Sequence, residues 1–366
     1  MAIQSFKINT QAVYKVDLLW GIVDALFMRA LQSQLRSRKR LLVRDGVAVY
    51  HVISRTACRQ FLFGPKEKEV FCALLFQQAE FAGIEVLGYC VMSNHIHLLL
   101  RVAPVGQLSD ELLLGRYAAY YGEGKIPLST YSVDELRTIL AEGADSAALV
   151  RSRVLARMGD LPAFMRELKQ RFSIWYNHQH ENQGTIWGAR YKSLIVEDAP
   201  ESLTRVAAYI DLNPVRAELV SDPKDYRWCG YAAGLAGRGF AREGLVALFG
   251  GKRDYSEALQ SYRLILFGKG ASPKGAAEKD QGVIPSVRLQ QVIRAEGRVP
   301  VEELLRVRIR YFADGLALGS RGFIEDLVSK NREQFSEKRK LAGTALPEET
   351  WGPLSVVRDL RRRVFG

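Results

Sequence analysis

The residues best suited to chemistry are two histidines separated by a single position. His95 and His97 lie in the run NHIHLLL and are two of the five histidines in the chain. In a β-strand, side chains at i and i+2 project from one face, so both imidazoles would share a surface while Ile96 faces the core. Two neutral imidazoles on one face can bind a divalent metal ion, and a metal ion can polarise a phosphodiester. The spacing alone leaves another reading open, in which one histidine is a satisfied core residue and the other lies on the surface.

The segments around the pair predict the order β-α-β-β-α-β. Each predicted strand is an apolar or alternating run, and each predicted helix has apolar residues three or four positions apart. The predicted elements are strand 47–55, helix 65–81, strands 86–92 and 95–102, helix 161–180 and strand 193–197. This order indicates an α+β, ferredoxin-like fold, in which helices cover one face of an antiparallel sheet.

A further helix is predicted directly after the fourth strand. Asp198 can cap its N-terminus, and Pro200 and Glu201 suit its first turn. The apolar spacing continues as far as Tyr209 and Ile210. We therefore expect one helix in addition to those of the ferredoxin-like order.

The chain is expected to have four parts. They are an N-terminal extension at 1–45, a central α+β domain at 46–235 with an insertion at about 104–160, a linker at 236–283 and a helical region at 284–366. Glycine-rich composition indicates the linker. In the last part, two predicted helices at 286–295 and 301–310 have a spacing compatible with a helix-turn-helix DNA-binding motif.

Composition favours an anionic partner. The formal net charge of the 366 residues is +12, which suits nucleic acid or another anionic surface without choosing between them. The four cysteines are widely spaced and include no C-x-x-C pair, which excludes a disulfide framework and fits a reducing cytoplasm. The apolar stretch at 18–28 is interrupted by Asp24 and too short to span a bilayer, so no membrane partner is expected.

Four blocks of the sequence, taken in order, resemble one known family. The blocks are Tyr50–Arg55 (YHVISR), Tyr89–Leu100 (YCVMSNHIHLLL), Trp187–Lys192 (WGARYK) and Tyr209–Ala217 (YIDLNPVRA). They resemble the REP-associated tyrosine transposases, which belong to the IS200-like HUH single-tyrosine transposases. The resemblance covers about residues 40–235 apart from the insertion, and it implies that the central domain is an HUH transposase catalytic domain.

The resemblance implies a role for each residue of the site. It makes His95 and His97 metal ligands and Tyr209 the catalytic nucleophile, and it places a third metal ligand four residues beyond, at Asn213. Residues at i and i+4 share a helix face, so tyrosine and amide can converge on one metal ion. Pro214 should end or kink the helix at Asn213, because the residue before a proline is biased away from α geometry. Mg²⁺ or Mn²⁺ is the implied cofactor.

The resemblance further implies a metal-dependent single-stranded DNA endonuclease and strand transferase that cleaves at palindromic hairpin repeats. Cleavage would leave a 5′-phosphotyrosine and a free 3′-hydroxyl, and the covalent intermediate splits one difficult step into two easier ones. Two other functions stay open: a hairpin-DNA-binding regulator without cleavage, and a metal-dependent hydrolase that uses activated water. The sequence leaves both monomer and dimer open.

Several residues are candidates for DNA contacts. Arg190, Tyr191 and Lys192 suit phosphate binding and base stacking, although a solvated entrance to the fourth strand explains them equally well. Arg171 and His178 on the long helix are candidates for contacts to the DNA backbone, and a plain surface role is the alternative for His178.

Two further side chains have open roles. His51 lies on the first strand and can approach the histidine pair from the neighbouring strand, or it can simply pack in the core. Tyr176 is better interpreted as packing in the core or facing DNA than as the nucleophile.

Overall fold

The computed structural model describes residues 40–43, 46–122, 131–142, 145–267, 305, 310–335, 339, 342–346 and 351–357. The chain divides into two units, residues 1–40 and 41–366, and the elements below all belong to the second. Of the N-terminal extension expected at 1–45, residues 1–39, 44 and 45 lie outside the described residues.

The described ranges contain both strands and α-helices throughout. The strands are β1 (Ala48–Arg55), β2 (Glu85–Val91), β3 (His95–Val102), β4 (Lys192–Val196), β5 (Ala317–Ser320), β6 (Thr344–Ala345) and β7 (Leu354–Val357). The helices up to the fourth strand are α1 (Pro65–Ala82), α2 (Asp110–Tyr121), α3 (Val133–Ala141), α4 (Asp145–Leu155) and α5 (Leu161–Gln179). Those after it are α6 (Pro200–Asp211), α7 (Asn213–Arg216), α8 (Gly230–Leu235), α9 (Gly239–Ala247), α10 (Tyr255–Phe267), α11 (Arg310–Asp314) and α12 (Arg321–Lys330). None of these helices is long and apolar enough to cross a membrane.

The first four strands confirm the predicted α+β, ferredoxin-like sheet. They lie in the order β2-β3-β1-β4, and every neighbouring pair is antiparallel. The first two predicted helices are also present as α1 and α5, with bounds within two residues of those expected.

Alternation along the strands gives the sheet two buried faces. On one face, Tyr50 and Ile96 belong to the apolar core that includes Phe71 of α1 and Phe172 of α5. On the other face, Val49 belongs to a second core together with α6 and the C-terminal strands. Because β-strand side chains alternate in direction, residues 51, 95 and 97 share the face that α6 covers.

The insertion at about 104–160 forms α2, α3 and α4 and packs beside α1. Just after α4, the Arg157 guanidinium forms an ion pair with Glu167 of α5, with 2.8 Å between Nε and Oε1. The same guanidinium lies 4.6 Å from the ring centroid of Phe81 at the end of α1. Arg157 therefore links the end of the insertion to α5 and α1.

The C-terminal region is helical in part, as predicted, and it also supplies strands. β5 pairs in parallel with β4, and β7 and β6 follow, so the whole sheet has seven strands in the order β2-β3-β1-β4-β5-β7-β6. The predicted helix-turn-helix at 286–310 lies outside the described residues except for Leu305 and Arg310.

The segment expected to be a linker differs from that expectation over 239–267. Two helices, α9 and α10, occupy most of it, and their apolar residues Leu245 and Tyr262 are buried in the second core. Some of the glycines of this segment lie within α9, so the glycine-rich composition did not indicate a linker there.

Candidate active site

The histidine pair lies at the start of β3. His95 follows the turn at Ser93-Asn94 and is half-buried, whereas His97 is only 2% exposed. Their ring centroids are 5.1 Å apart, with the ring planes nearly perpendicular. The two imidazoles are therefore neighbours on one face of the sheet.

His51 of β1 contacts this pair directly. Its Nε2 lies 2.8 Å from Nδ1 of His97, and its Nδ1 lies 2.8 Å from the carbonyl oxygen of Phe312 in α11. Burial lowers the pKa of His51 to about 4, against the hydrogen bond to Phe312, which raises it. The sequence left two interpretations of His51 open, packing in the core and approach to the histidine pair. Both hold, because His51 is buried and is hydrogen-bonded to His97.

The other two histidines of the site are held in similar ways. His95 donates from Nδ1 to the side-chain oxygen of Asn94 at 2.6 Å. The pKa of His97 is lowered well below its ordinary value, first by burial and then by the nearby His51 and His95. His97 is consequently neutral at pH 7, the form in which imidazole binds metals.

Tyr209 lies on α6, above the same face of the sheet. The helix is oriented by its apolar side, because Leu203, Val206 and Ile210 are fully buried in the second core. The Tyr209 ring packs edge-on against His97, with centroids 6.2 Å apart, and is only 3% exposed. The helix therefore brings the candidate nucleophile to the histidine pair from more than a hundred residues away in sequence.

The C-terminal region completes the surroundings of Tyr209. The ring of Phe312 lies 5.1 Å from the Tyr209 ring, and Trp351 packs on the far side of Phe312 at 5.4 Å. Sequence reasoning missed this contact, because neither aromatic residue belongs to a recognisable motif.

Arg216 is another residue to which the sequence analysis assigned no role. Its guanidinium lies 4.0 Å from the Tyr209 ring centroid and donates to the backbone carbonyls of Tyr209 (2.5 Å) and Leu305 (2.7 Å). Burial lowers the pKa of Arg216 to about 10, so it is still a cation at pH 7. No carboxylate among the described residues forms an ion pair with it. The available signal was its position in the fourth block, seven residues or about two helical turns after Tyr209.

Asn213 lies where the tyrosine helix ends. α6 stops at Asp211 and α7 begins at Asn213, which agrees with the break expected before Pro214. The Asn213 side chain is buried, and its Nδ2 donates to the carbonyls of Ile210 (3.2 Å) and Tyr209 (3.4 Å). Because the amide nitrogen donates to carbonyls at the end of α6, the side-chain oxygen is the atom suited to ligate a metal.

By chemical type, the predicted donor atoms are ones that divalent metal ions accept. Among the described residues there is no cluster of three or more His, Cys, Asp or Glu side chains that could hold a metal. The candidate set is instead mixed: His95 and His97, whose Nδ1 atoms are hydrogen-bonded and whose Nε2 atoms are suited to a metal, and the Asn213 oxygen. Such a set leaves positions for phosphate oxygens, as an ion that binds DNA requires.

Only part of the predicted DNA-contact set lies near this site. Lys192 and His97 are both paired with Ile53 in the sheet register, so Lys192 projects from the same face at about 10 Å, two strand spacings away. Its Nζ forms an ion pair with Asp314 at 2.8 Å. Arg190 is exposed just before β4. Lys192 therefore lies at the edge of the candidate site.

The other predicted contacts lie elsewhere. Tyr191 is only 7% exposed and belongs to the first core, so its ring would have to leave that core to stack on a base, and its DNA contact stays a prediction. Arg171 stacks 4.2 Å from the Tyr120 ring of the insertion, and it lies with the exposed His178 on α5, which covers the opposite face of the sheet from Tyr209. Helical spacing gave no information about which sheet face α5 covers.

Part of the chain matches a known family. Residues 47–113, which include His95 and His97, match the family described as "Transposase IS200 like". This match agrees with the resemblance of the sequence blocks over residues 47–113. Among solved structures, a REP-associated tyrosine transposase bound to a REP hairpin is similar to this chain, with 14% identity, a TM-score of 0.35 and coverage of 55% of this chain and 86% of that chain. No protein of curated function matches the chain.

Proposed function

From the IS200-like transposase match of residues 47–113, we propose that the chain is a transposase that cleaves and rejoins single-stranded DNA at hairpins. The observation that carries this proposal is the packing of the Tyr209 ring against His97 on one side and against the half-buried guanidinium of Arg216 on another. A nucleophile, candidate metal ligands and a cation for an anionic centre thus share one site. The domain limits 46–235, a cytoplasmic location and the oligomeric state stay predictions.

In the proposed reaction, the Tyr209 hydroxyl oxygen attacks a backbone phosphorus. The hydroxyl proton is lost, the new Tyr209–phosphorus bond forms, and the bond from phosphorus to the 3′-oxygen breaks. The departing 3′-oxygen takes up a proton and becomes a free hydroxyl, while the 5′ side stays attached as phosphotyrosine. Attack by a 3′-hydroxyl on this linkage reverses the step, so rejoining requires no other energy source.

His95, His97 and Asn213 are proposed to hold Mg²⁺ or Mn²⁺. When bound, the ion would polarise the phosphate and offset its charge. The chemical types support these assignments, because imidazole nitrogens and an amide oxygen are both ordinary ligands of divalent metal ions.

Arg216 supports an anionic reaction centre. Arg216 is half-buried and has no carboxylate partner in the part of the chain that the structure describes, so its partial removal from water costs stability without a counter-ion to offset it. A phenolate or a phosphate oxygen beside the Tyr209 ring would supply the missing negative charge. The basic net charge of +12 is consistent with a nucleic acid substrate.

A regulator that binds hairpin DNA without cleaving it is the second candidate. The specific observation in its favour is that Tyr209 is only 3% exposed, which keeps its hydroxyl from bulk solvent. This candidate predicts hairpin binding without a covalent product.

A covalent-adduct assay separates the candidates. Labelled single strands that fold into hairpins are incubated with the protein and Mn²⁺ or Mg²⁺, and denaturing gels are examined for a protein-DNA adduct. We expect the wild type to form the adduct and Tyr209→Phe to form none. Tyr176→Phe is the matched control, because Tyr176 is also a buried tyrosine but lies on α5, and it should behave as the wild type does.

Two results would contradict the proposal. An adduct with Tyr209→Phe would mean that another residue is the nucleophile. Hairpin binding with no adduct on any strand would favour the regulator, and a free 5′-phosphate without an adduct would favour hydrolysis by water.

A further inference from the structure

Two successive hydrogen bonds connect the C-terminal region to the candidate metal ligand His97. The Phe312 carbonyl, both ring nitrogens of His51 and Nδ1 of His97 follow one another at 2.8 Å per step. All three residues are buried, with His51 and His97 at 1% and 2% exposure. Water therefore does not compete for these bonds.

The direction of each bond follows from the carbonyl at one end. A carbonyl oxygen only accepts, so the Nδ1 of His51 carries the hydrogen and donates. In a neutral imidazole the other nitrogen then has a lone pair, so Nε2 of His51 accepts from Nδ1 of His97. With its hydrogen on Nδ1, His97 has its lone pair on Nε2.

The two ring nitrogens of His97 thus have different roles. If His97 carried its hydrogen on Nε2 instead, Nδ1 of His97 and Nε2 of His51 would be two acceptors facing each other at 2.8 Å, and no hydrogen bond would form. A metal-binding histidine that donates its second N–H to a fixed partner has its tautomer and ring orientation set by that partner.

We propose that His51, held by the Phe312 carbonyl, is the positioning residue that keeps His97 in the tautomer able to bind a metal ion. This inference rests on the proposed function only in taking His97 as a metal ligand. It also makes the backbone of α11 part of the metal site, although Phe312 lies 261 positions after His51 in the chain.

The pair His95 and Asn94 provides a contrast within the same site. Asn94 is half-buried and immediately precedes His95, so this partner comes with the turn itself. The partner of His97 comes from another strand and is fixed in turn by a third element. The metal affinity should therefore depend on His51 even though His51 contacts the metal ion at no point.

The test measures tautomers and metal affinity on the full-length protein. Nitrogen-15 spectra of the histidine rings, recorded without metal, should show His97 with its hydrogen on Nδ1. His51→Phe keeps a ring in the same space but removes the acceptor, so His97 should shift towards the form with hydrogen on Nε2. The dissociation constant for Mn²⁺, measured from the free ion by electron paramagnetic resonance, should rise about 10- to 100-fold.

Val49→Ala is the matched control. Val49 lies two residues before His51 on β1, is fully buried in the second core, and forms none of these side-chain hydrogen bonds. It should lower the thermal stability, leave the His97 tautomer unchanged and keep the Mn²⁺ affinity within about twofold of the wild type, well below the 10- to 100-fold change expected for His51→Phe.

The wild-type spectrum tests the proposal even if His51→Phe does not fold. A wild-type His97 with its hydrogen on Nε2 overturns the proposal, as does a loss of Mn²⁺ affinity in His51→Phe no larger than in Val49→Ala. If the tautomer and affinity results are as expected but the wild type forms no DNA adduct, the positioning role stands and the proposed transposase reaction fails. The two hypotheses are thereby distinguished.

Discussion

At the scale of single residues, Arg216 is the side chain whose placement is hardest to explain without a reaction. It is a half-buried cation whose described partners are two backbone carbonyls and the face of the Tyr209 ring. A cation over an aromatic face gains about 0.5 to 2 kcal/mol, which offsets only part of the cost of leaving water. The remainder points to a transient anion at this position.

Replacing Arg216 by methionine tests this explanation. Arg216→Met removes the charge and keeps much of the volume, and we expect the rate of adduct formation in a single turnover to fall about 100-fold, as when one stabilising donor is lost. The thermal unfolding midpoint should stay the same or rise, because an apolar side chain often replaces a buried charge without loss of stability.

Arg216→Lys is the corresponding control, since it keeps the charge and loses the planar fork. An intermediate rate is expected for it. Equal rates for Arg216→Met and the wild type would mean that Arg216 only supports the end of α6.

At the scale of elements, the sequence predicted best those features that depend on neighbouring residues. The strand containing His95 and His97 and the helix break before Pro214 are where local rules place them. The rules act within a few residues, through alternation in a strand and steric restriction before a proline.

Features that depend on distant partners were not predictable in this way. The burial of Tyr191 follows from the position of α5, and β5 has only four residues with no alternating pattern. Its pairing with β4 is visible only once both segments are placed together. No local signal links Phe312 to His51.

The insertion gives an element-scale prediction with a pH dependence. Burial tends to raise the pKa of Glu167, but the hydrogen bond and charge of Arg157 outweigh it and hold the pKa below its ordinary value of 4.5. A carboxyl group with a lowered pKa stabilises the folded state above its unfolded pKa, and this contribution is lost as the pH falls through the folded pKa.

Glu167→Gln should therefore lower the free energy of unfolding near pH 7 by about 1 to 3 kcal/mol. Below pH 4 the difference from the wild type should shrink, since the wild-type carboxyl is then becoming protonated. Urea unfolding at several pH values measures both effects. Glu325→Gln, which breaks an exposed ion pair with Arg321, should change neither quantity measurably. A constant difference between Glu167→Gln and wild type at every pH would contradict the ion-pair explanation.

At the scale of the whole molecule, the central domain and the C-terminal strands form one sheet. Ile195 and Val196 of β4 pair with Ala317 and Leu318 of β5, and the second core includes residues from both regions. A fragment ending at residue 235 would expose the edge of β4 and the apolar side of α6. Unpaired strand edges and exposed cores favour aggregation.

A truncation series tests this continuity. The fragment 41–235 should aggregate or unfold at a lower temperature than the fragment 41–357, and it should bind Mn²⁺ more weakly because the Phe312 carbonyl that holds His51 is absent. Size-exclusion chromatography and thermal unfolding compare the two. A fragment 41–235 that is monomeric and as stable as 41–357 would show that the central domain folds independently.

The hydrogen bond between His51 and Phe312 also joins two residues that the ribosome makes at different times. His51 leaves the ribosome early, and its acceptor is made 261 residues later. At about 5 to 20 residues per second, that interval is roughly 13 to 50 s. Once Tyr209 has been made, a nascent chain carries the histidine pair and Tyr209 but lacks the Phe312 carbonyl that holds His51. A ribosome that stops before Phe312 would thus release a protein that has every residue of the predicted site but lacks the carbonyl that holds His51.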